Sequence, residues 1–226
     1  MNNMKTTRKS KIDDKPAFRG CAQVTTEPKR RTPVTTGGAN AVSKGTVSVN
    51  PHVESRFRPI PGSDSSTIRL SGPIEHDSIV NGPGLRAVVW TQGCFTHCMG
   101  CQNAETWSPD KGTLVDVEEI KAELKKLKGQ QGLTFCGGEP FVQPEACKAI
   151  ADWAREEMGW NIWSFSGFTY EEIKAHGGPA WEFLKSLDAL IDGPFILQQR
   201  DISLKFRGSK NQRLLHLNHG EITSVE

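Results

Sequence analysis

From Thr67 onward, short β-branched runs alternate with amphipathic segments, and each unusual loop of the chain follows one of those runs. The cysteine-rich "GCFTHCMGC" follows "RAVVWTQ", "CGGEP" follows "GLTF", "SGFT" follows "NIWSF", and "DGPF" follows "ALI". Alternation of this kind predicts parallel strands joined by right-handed crossovers, with helices on the outer face. In such sheets ligands lie beyond the carboxyl ends of the strands. Four loops are therefore expected to converge on one site.

The helices are read from their apolar stripes. "DVEEIKAELKKL" places Val117, Ile120, Leu124 and Leu127 on one face, and Asp116 with Glu119 forms a capping-box pattern. Further helices are predicted from Pro144 to about Glu157, from Thr169 with Glu172 in a second box, and around Trp181 to Leu187. "TIRLSGPI" reads as a strand, and "SLKF" with "RLLHL" as a closing pair. About five or six strand–helix units fall short of the eight units and roughly 250 residues of a closed barrel. The predicted fold class is α/β, an incomplete, open parallel (βα) barrel; a doubly wound sheet is the other arrangement.

Residues 1–66 read differently. Met1–Thr67 carry 12 Lys/Arg against 5 Asp/Glu, and Ile68–Glu226 carry 16 against 21, so charges of +7 and −5 make up the formal +2. The first part shows no strand or helix periodicity and is rich in Thr, Ser, Gly, Pro and Lys, too polar to offset its chain entropy by burial. It is read as a disordered basic tail, 1–66, ahead of a core domain, 67–226, with Cys21 a free thiol within it. A basic arm for nucleic acid or another acidic partner is the functional alternative. No apolar run reaches the roughly 18 residues of a membrane span, and no secretory leader is recognised. A cytoplasmic protein is expected, in which six cysteines point to metal or redox chemistry rather than disulfides.

Cys94, Cys98 and Cys101 lie within eight residues. A structural zinc site needs four ligands and a catalytic one three plus water; His97, immediately before Cys98, is poorly placed to join, so zinc would need a distant residue. An iron–sulfur cubane suits the loop better. Three thiolates hold three irons and leave the fourth open to a ligand, unlike the four-cysteine ferredoxin run.

"CFTHCMGC" followed by "FCGGEP" resembles the radical S-adenosylmethionine superfamily. With "DSIVNGPGLRAVVWTQGC", "QNAETW", "SFSGFTYEEI", "LIDGPF" and "FRGSKNQRLL" in the same order, residues 74–217 resemble the activating enzymes of anaerobic (class III) ribonucleotide reductase. The resemblance implies a 4Fe-4S cluster on Cys94, Cys98 and Cys101 whose open iron takes S-adenosyl-L-methionine. It further implies reductive cleavage to methionine and a 5'-deoxyadenosyl radical, and a glycyl radical installed on the large subunit of the partner reductase. A flavodoxin or ferredoxin is the implied electron donor. No catalytic side chain beyond cluster and cofactor is assigned. An activase for another glycyl-radical enzyme is the nearest alternative, and a non-enzymatic iron–sulfur or zinc module a more distant one.

Site residues follow from this. Gly137 and Gly138 allow close backbone approach, and their carbonyls are expected to receive the cofactor's ammonium; Glu139 orients the turn or the ligand, and Pro140 stiffens it. Ser166 and Gly167 are candidates for ribose or carboxylate contacts, whereas Thr169 and Glu172 are explained as a helix cap. Many superfamily members carry an aromatic residue before the third cysteine to pack on adenine. Here that position is Gly100, so only the backbone of Gly100, Cys101 and Gln102 is assigned to the adenine pocket. Asp192 either reaches the site or begins a turn. "NGPG" with Arg86 is read as a turn on the partner-facing rim, "KFRGSKNQR" as a solvated hairpin, and Cys136 and Cys147 as small buried hydrophobes. His216 and His219 show no ligand spacing with the cysteines.

Overall fold

The protein is described by a computed structural model covering residues 50–226. The tail expected over 1–66 lies, for residues 1–49 and Cys21 among them, outside the described residues. The elements in chain order are α1 (Pro51–Glu54), β1 (Thr67–Leu70), β2 (Glu75–Ser78), β3 (Arg86–Thr91), β4 (Thr113–Asp116), α2 (Val117–Leu124), β5 (Gly132–Gly137), α3 (Pro144–Met158), β6 (Asn161–Phe165), α4 (Tyr170–His176), α5 (Gly178–Lys185), β7 (Ala189–Asp192), β8 (Arg213–Asn218) and β9 (Glu221–Val225).

They build one open sheet in the order β4-β1-β3-β5-β6-β7-β8-β9, with β2 also paired to β3. Only β3, β5, β6 and β7 run parallel. The flanking strands pair antiparallel. The parallel part is thus four strands rather than five or six units. A parallel neighbour needs a crossover of a dozen or more residues, and among the antiparallel pairs only β8–β9 is joined by a tight turn. The His219–Gly220 turn, both residues at positive φ, closes β8 onto β9 in that way. "SLKF" forms no strand; the partner of β8 is "EITSV", and of "TIRLSGPI" only "TIRL" is a strand, β1, with β2 starting after it at Glu75.

Side chains alternate across the parallel strands. Ala87, Val89, Leu133, Phe135, Ile162 and Leu190 face the helices and join the main core with Val117, Ile120 and Leu124 of α2. The other face carries Trp163, Ala189, Ile191 and Leu214, with Phe165 and Phe206 packed on them. In register with Trp163 lie Val88 and Thr134. Asp116 caps α2 through the Glu118 N–H at 3.0 Å rather than in a box with Glu119. On α4 the predicted box forms: Thr169 Oγ1 accepts from Glu172 N at 3.2 Å, and Glu172 Oε2 accepts from Thr169 N at 2.9 Å.

Two expectations are corrected. Arg86 is not on a rim: it is 1% exposed, plugging the amino-terminal end of the sheet. Its Nε donates to Thr134 Oγ1 at 2.6 Å and its Nη2 to the carbonyls of Leu133 (2.7 Å) and Asn161 (2.9 Å). The core also begins earlier than residue 67. Val53, Phe57 and Ile60 are buried in the main core, and Phe57 stacks between Phe168 at 3.7 Å and His176 at 3.9 Å. Those three anchors stand among charges and prolines, and the apolar surface that receives them comes from distant elements.

Candidate metal centre

The loop after β3 is closed at its neck by its own backbone. Gly93 N donates to Thr106 O at 2.7 Å and Cys94 N to Trp107 O at 3.0 Å, while Gln92 Nε2 donates to Ser108 O at 2.8 Å. Buried Gln143, ahead of α3, donates from Nε2 to Gln92 O at 3.0 Å and accepts from Arg69 N at 2.7 Å, tying the neck to β1. Within the loop, Cys101 N bonds Cys98 O at 3.1 Å, and Asn103 N points at Cys101 Sγ at 3.4 Å.

The loop after β5 lies directly against it. Gly138 N donates to Thr91 O and Glu139 N to Gly93 O, both at 2.8 Å. A Cβ on Gly138 would stand 2.4 Å from Gly93 O, and one on Gly137, at φ +103°, 2.6 Å from Thr91 O. Glycine is required at both positions, at Gly137 by the end of β3 and at Gly138 by the backbone of the cysteine loop.

Glu139 joins the third loop. Its Oε1 accepts from Ser166 Oγ at 3.0 Å and Phe141 N at 3.2 Å, and its Oε2 from Gly167 N at 2.7 Å. Ser166 Oγ in turn accepts from Phe168 N at 3.0 Å. Burial pushes the Glu139 carboxyl up to about 7 against the pull of those donors.

Cys94, Cys98 and Cys101 open onto one cavity of about 140 Å³ together with Gly137, Gly138, Glu139, Ser166, Gly167 and Gly193, so the ends of all four parallel strands meet there. Gln102 lines an adjoining cavity of about 620 Å³ that shares Cys101 and Cys136 with the first. Gly100, at φ +75°, packs its α-carbon toward the Leu197 side chain, which stands 3.1 Å from where its Cβ would be. Asp192 is committed elsewhere: it accepts from Tyr170 N at 2.8 Å and from Arg213 Nε at 3.0 Å.

The donor set fits an iron–sulfur cluster. Burial, then the Glu139 charge, pushes the Cys94 thiol up to about 11, and burial raises Cys98. Desolvated thiols of this kind become ligands only when a cation replaces their protons. Among the described residues no three His, Cys, Asp or Glu side chains gather around a point close enough for a single ion. The three thiols line the wall of one cavity.

The family model of the 4Fe-4S single cluster domain matches residues 80–215. An anaerobic ribonucleoside-triphosphate reductase-activating protein of Enterobacteria phage T4 is 34% identical over 142 residues, 60% of this chain and 86% of that protein. Its namesake in Escherichia coli K12 is 32% identical over 146 residues, 62% of this chain and 93% of that one. The chain belongs to this activating-protein family. Among solved structures, QueE from Escherichia coli aligns over 46% of this chain and 53% of its own, at 16% identity and a TM-score of 0.36.

In this family member several lining residues went unrecognised in the sequence. Gln212, within the segment read as a solvated hairpin, lines both cavities; its amide accepts from Gly208 N at 2.9 Å and donates to Gly193 O at 3.0 Å. Phe165 and Phe195 stand where the two cavities meet, and Asn103 borders both. Cys136 faces the cavities at the end of β5, its thiol pushed up to about 12 by burial. Cys147 is wholly buried in the helix layer. Only position after a strand end could have singled out Phe195, and "NQR" carries no local signal for its inward glutamine. Among the described residues no helix is long and apolar enough to cross a membrane.

Proposed function

We propose that this protein is a radical S-adenosylmethionine enzyme that generates a glycyl radical on an anaerobic ribonucleoside-triphosphate reductase, working in the cytoplasm with a flavodoxin or ferredoxin as electron donor. The observation that carries the reading is the convergence of three cysteines and the Gly137–Gly138 turn on one cavity, in a chain whose relatives bear that activating-protein name. When bound, the cluster supplies the electron that cleaves S-adenosylmethionine to methionine and a 5'-deoxyadenosyl radical.

Cys94, Cys98 and Cys101 would hold the cluster and leave one iron free for the cofactor. Gly137 and Gly138 present main chain to the methionine half, with no side chain to keep it at a distance. Ser166 and Gly167 act mainly through Glu139, because their polar hydrogens are already donated to its carboxylate. Cys101 and Gln102 line the larger cavity, which would receive the adenosyl half and a glycine-bearing segment of the partner. Phe165 and Phe195 exclude water between the two.

Anaerobic reconstitution with iron and sulfide, followed by reductant and S-adenosylmethionine, tests this. The expected products are 5'-deoxyadenosine and methionine, with a glycyl doublet in the electron paramagnetic resonance spectrum once the reductase is added. A protein that binds the cluster and releases no 5'-deoxyadenosine overturns the enzymatic reading.

A further inference from the structure

The middle of the cysteine loop has little of its own to hold it. Among the described residues, no backbone–backbone hydrogen bond ties residues 95–100 to another secondary-structure element. Side chains reach them instead: Leu197 packs beside Gly100, His97 lies against Trp107 with centroids 4.8 Å apart, and the first half of the loop is met by the segment ahead of β1, which lies outside the residues 80–215 matched by the family model. Arg56 Nη1 is 3.4 Å from Thr96 Oγ1. The Arg58 guanidinium lies over the Phe95 ring, 4.1 Å from its centroid. Ile60 Cδ1 fills the space beside Gly93, 2.2 Å from where a Cβ would be. All three contacts fall on the residues immediately before Cys94 or between Cys94 and Cys98.

The segment is itself well fixed. Phe57 is stacked between two rings, Glu54 pairs with His176 Nδ1 at 3.0 Å, and Ile60 N donates to Val142 O at 3.3 Å. Arg56 carries the connection further, since its Nη2 also donates to Glu172 Oε1 at 3.0 Å, the side chain that closes the α4 capping box. The cysteine loop is thereby referenced to α4 and to the helix layer.

We infer that residues 51–60 are a strap that positions the cysteine loop, with Arg56 and Arg58 as positioning residues for the metal centre. The inference rests on the iron–sulfur reading of that centre. Two consequences follow from the contacts. Holding Phe95 and Thr96 keeps Cys94 and Cys98 at a fixed separation, so iron escapes slowly. Two guanidinium charges beside a cluster with three thiolate ligands favour its more negative, reduced state, because local charge is one of the factors that sets such potentials.

The test uses the full chain, reconstituted anaerobically, as wild type, as the double variant Arg56→Ala/Arg58→Ala, and as Arg56→Lys/Arg58→Lys. Iron transfer to a chromogenic chelator is expected to be about ten-fold faster in the alanine variant, the scale of losing a desolvated cation–π contact with its neighbouring hydrogen bond. Its midpoint potential moves to more negative values. The lysine variant, which keeps the charges, retains a potential close to that of the wild type.

Hydrogen exchange separates positioning from general loosening. Amides of residues 93–98 are expected to exchange faster in the alanine variant while those of α3 stay protected, and this readout holds even if reconstitution yields fall. Equal chelation rates, equal potentials and unchanged exchange overturn the strap and leave the cluster reading intact. A wild-type protein that takes up no iron overturns both.

Discussion

Gly138→Ala is the substitution that most directly tests how the site is assembled. Its methyl group would stand 2.4 Å from Gly93 O and 2.9 Å from Gly93 C, whereas an ordinary C···O contact begins near about 3.3 Å. The two loops must therefore part by about 0.9 Å. The oxygen that is struck already accepts the Glu139 N–H at 2.8 Å, so the same displacement stretches that bond beyond useful length. Losing a buried hydrogen bond and overpacking a tight contact together cost about 2–4 kcal/mol. Urea denaturation of the cluster-free protein under reducing, anaerobic conditions measures this, and iron content after reconstitution reports the displaced loop. Gly159→Ala is the control: Gly159 sits at φ +66° beyond α3 with nothing within 4 Å of a Cβ, so only backbone strain of about 1–2 kcal/mol is expected, with iron uptake unchanged. If Gly138→Ala is as stable as the wild type and loads as much iron, backbone apposition does not assemble the site.

Two further outcomes are expected. Because burial raises the Glu139 carboxyl from 4.5 to about 7, the folded protein binds that proton more tightly than the unfolded chain does. Its contribution to stability is complete below about 4.5 and falls away as pH rises to about 7. The stability of cluster-free wild type minus that of Glu139→Gln should decline across this window in urea titrations, and a flat or rising difference contradicts the burial argument. Arg86→Met removes the donors to the Leu133 and Asn161 carbonyls and should cost about 2–3 kcal/mol, the unsatisfied acceptors outweighing relief of a buried charge. Iron uptake should be unaffected, since Arg86 begins β3 and the cysteine loop follows its other end; loss of iron without loss of stability would place Arg86 in the wrong role.

The parallel strands were legible because β3, β5, β6 and β7 are buried on nearly every residue and so appear as continuous apolar runs. The flanking strands were not. β2 reads "EHDS", and β9 is exposed along its whole length; their place in the sheet comes from ladder hydrogen bonds, which leave no apolar pattern. The strap was missed for a related reason: Val53, Phe57 and Ile60 are isolated apolar residues, and Phe57 and Ile60 pack on Phe168, His176 and Gly93, all distant in sequence. The three cysteines stood out because spacing alone limits what three thiols can bind. Gln212 did not, because a glutamine that bonds main chain on two sides of a turn looks identical in sequence to a solvated one.

Glycine at a strand end carried the least decidable signal. It marks a close backbone approach, but the approaching partner can be a ligand or another loop, and for Gly138 the distances to Gly93 show that a loop alone is enough to demand glycine. The same pattern recurs with Gln143 and Glu139, buried side chains that each bond the main chain of loops distant in sequence. The strand-end loops are thus held to one another by polar contacts, while the apolar core lies on the helix side of the sheet. Polar contacts between loops open locally at lower cost than a packed core unfolds. Separation of the cysteine loop from the Gly137–Glu139 turn is therefore the motion to which metal retention should be coupled, and conditions that leave the core folded should still be able to release iron.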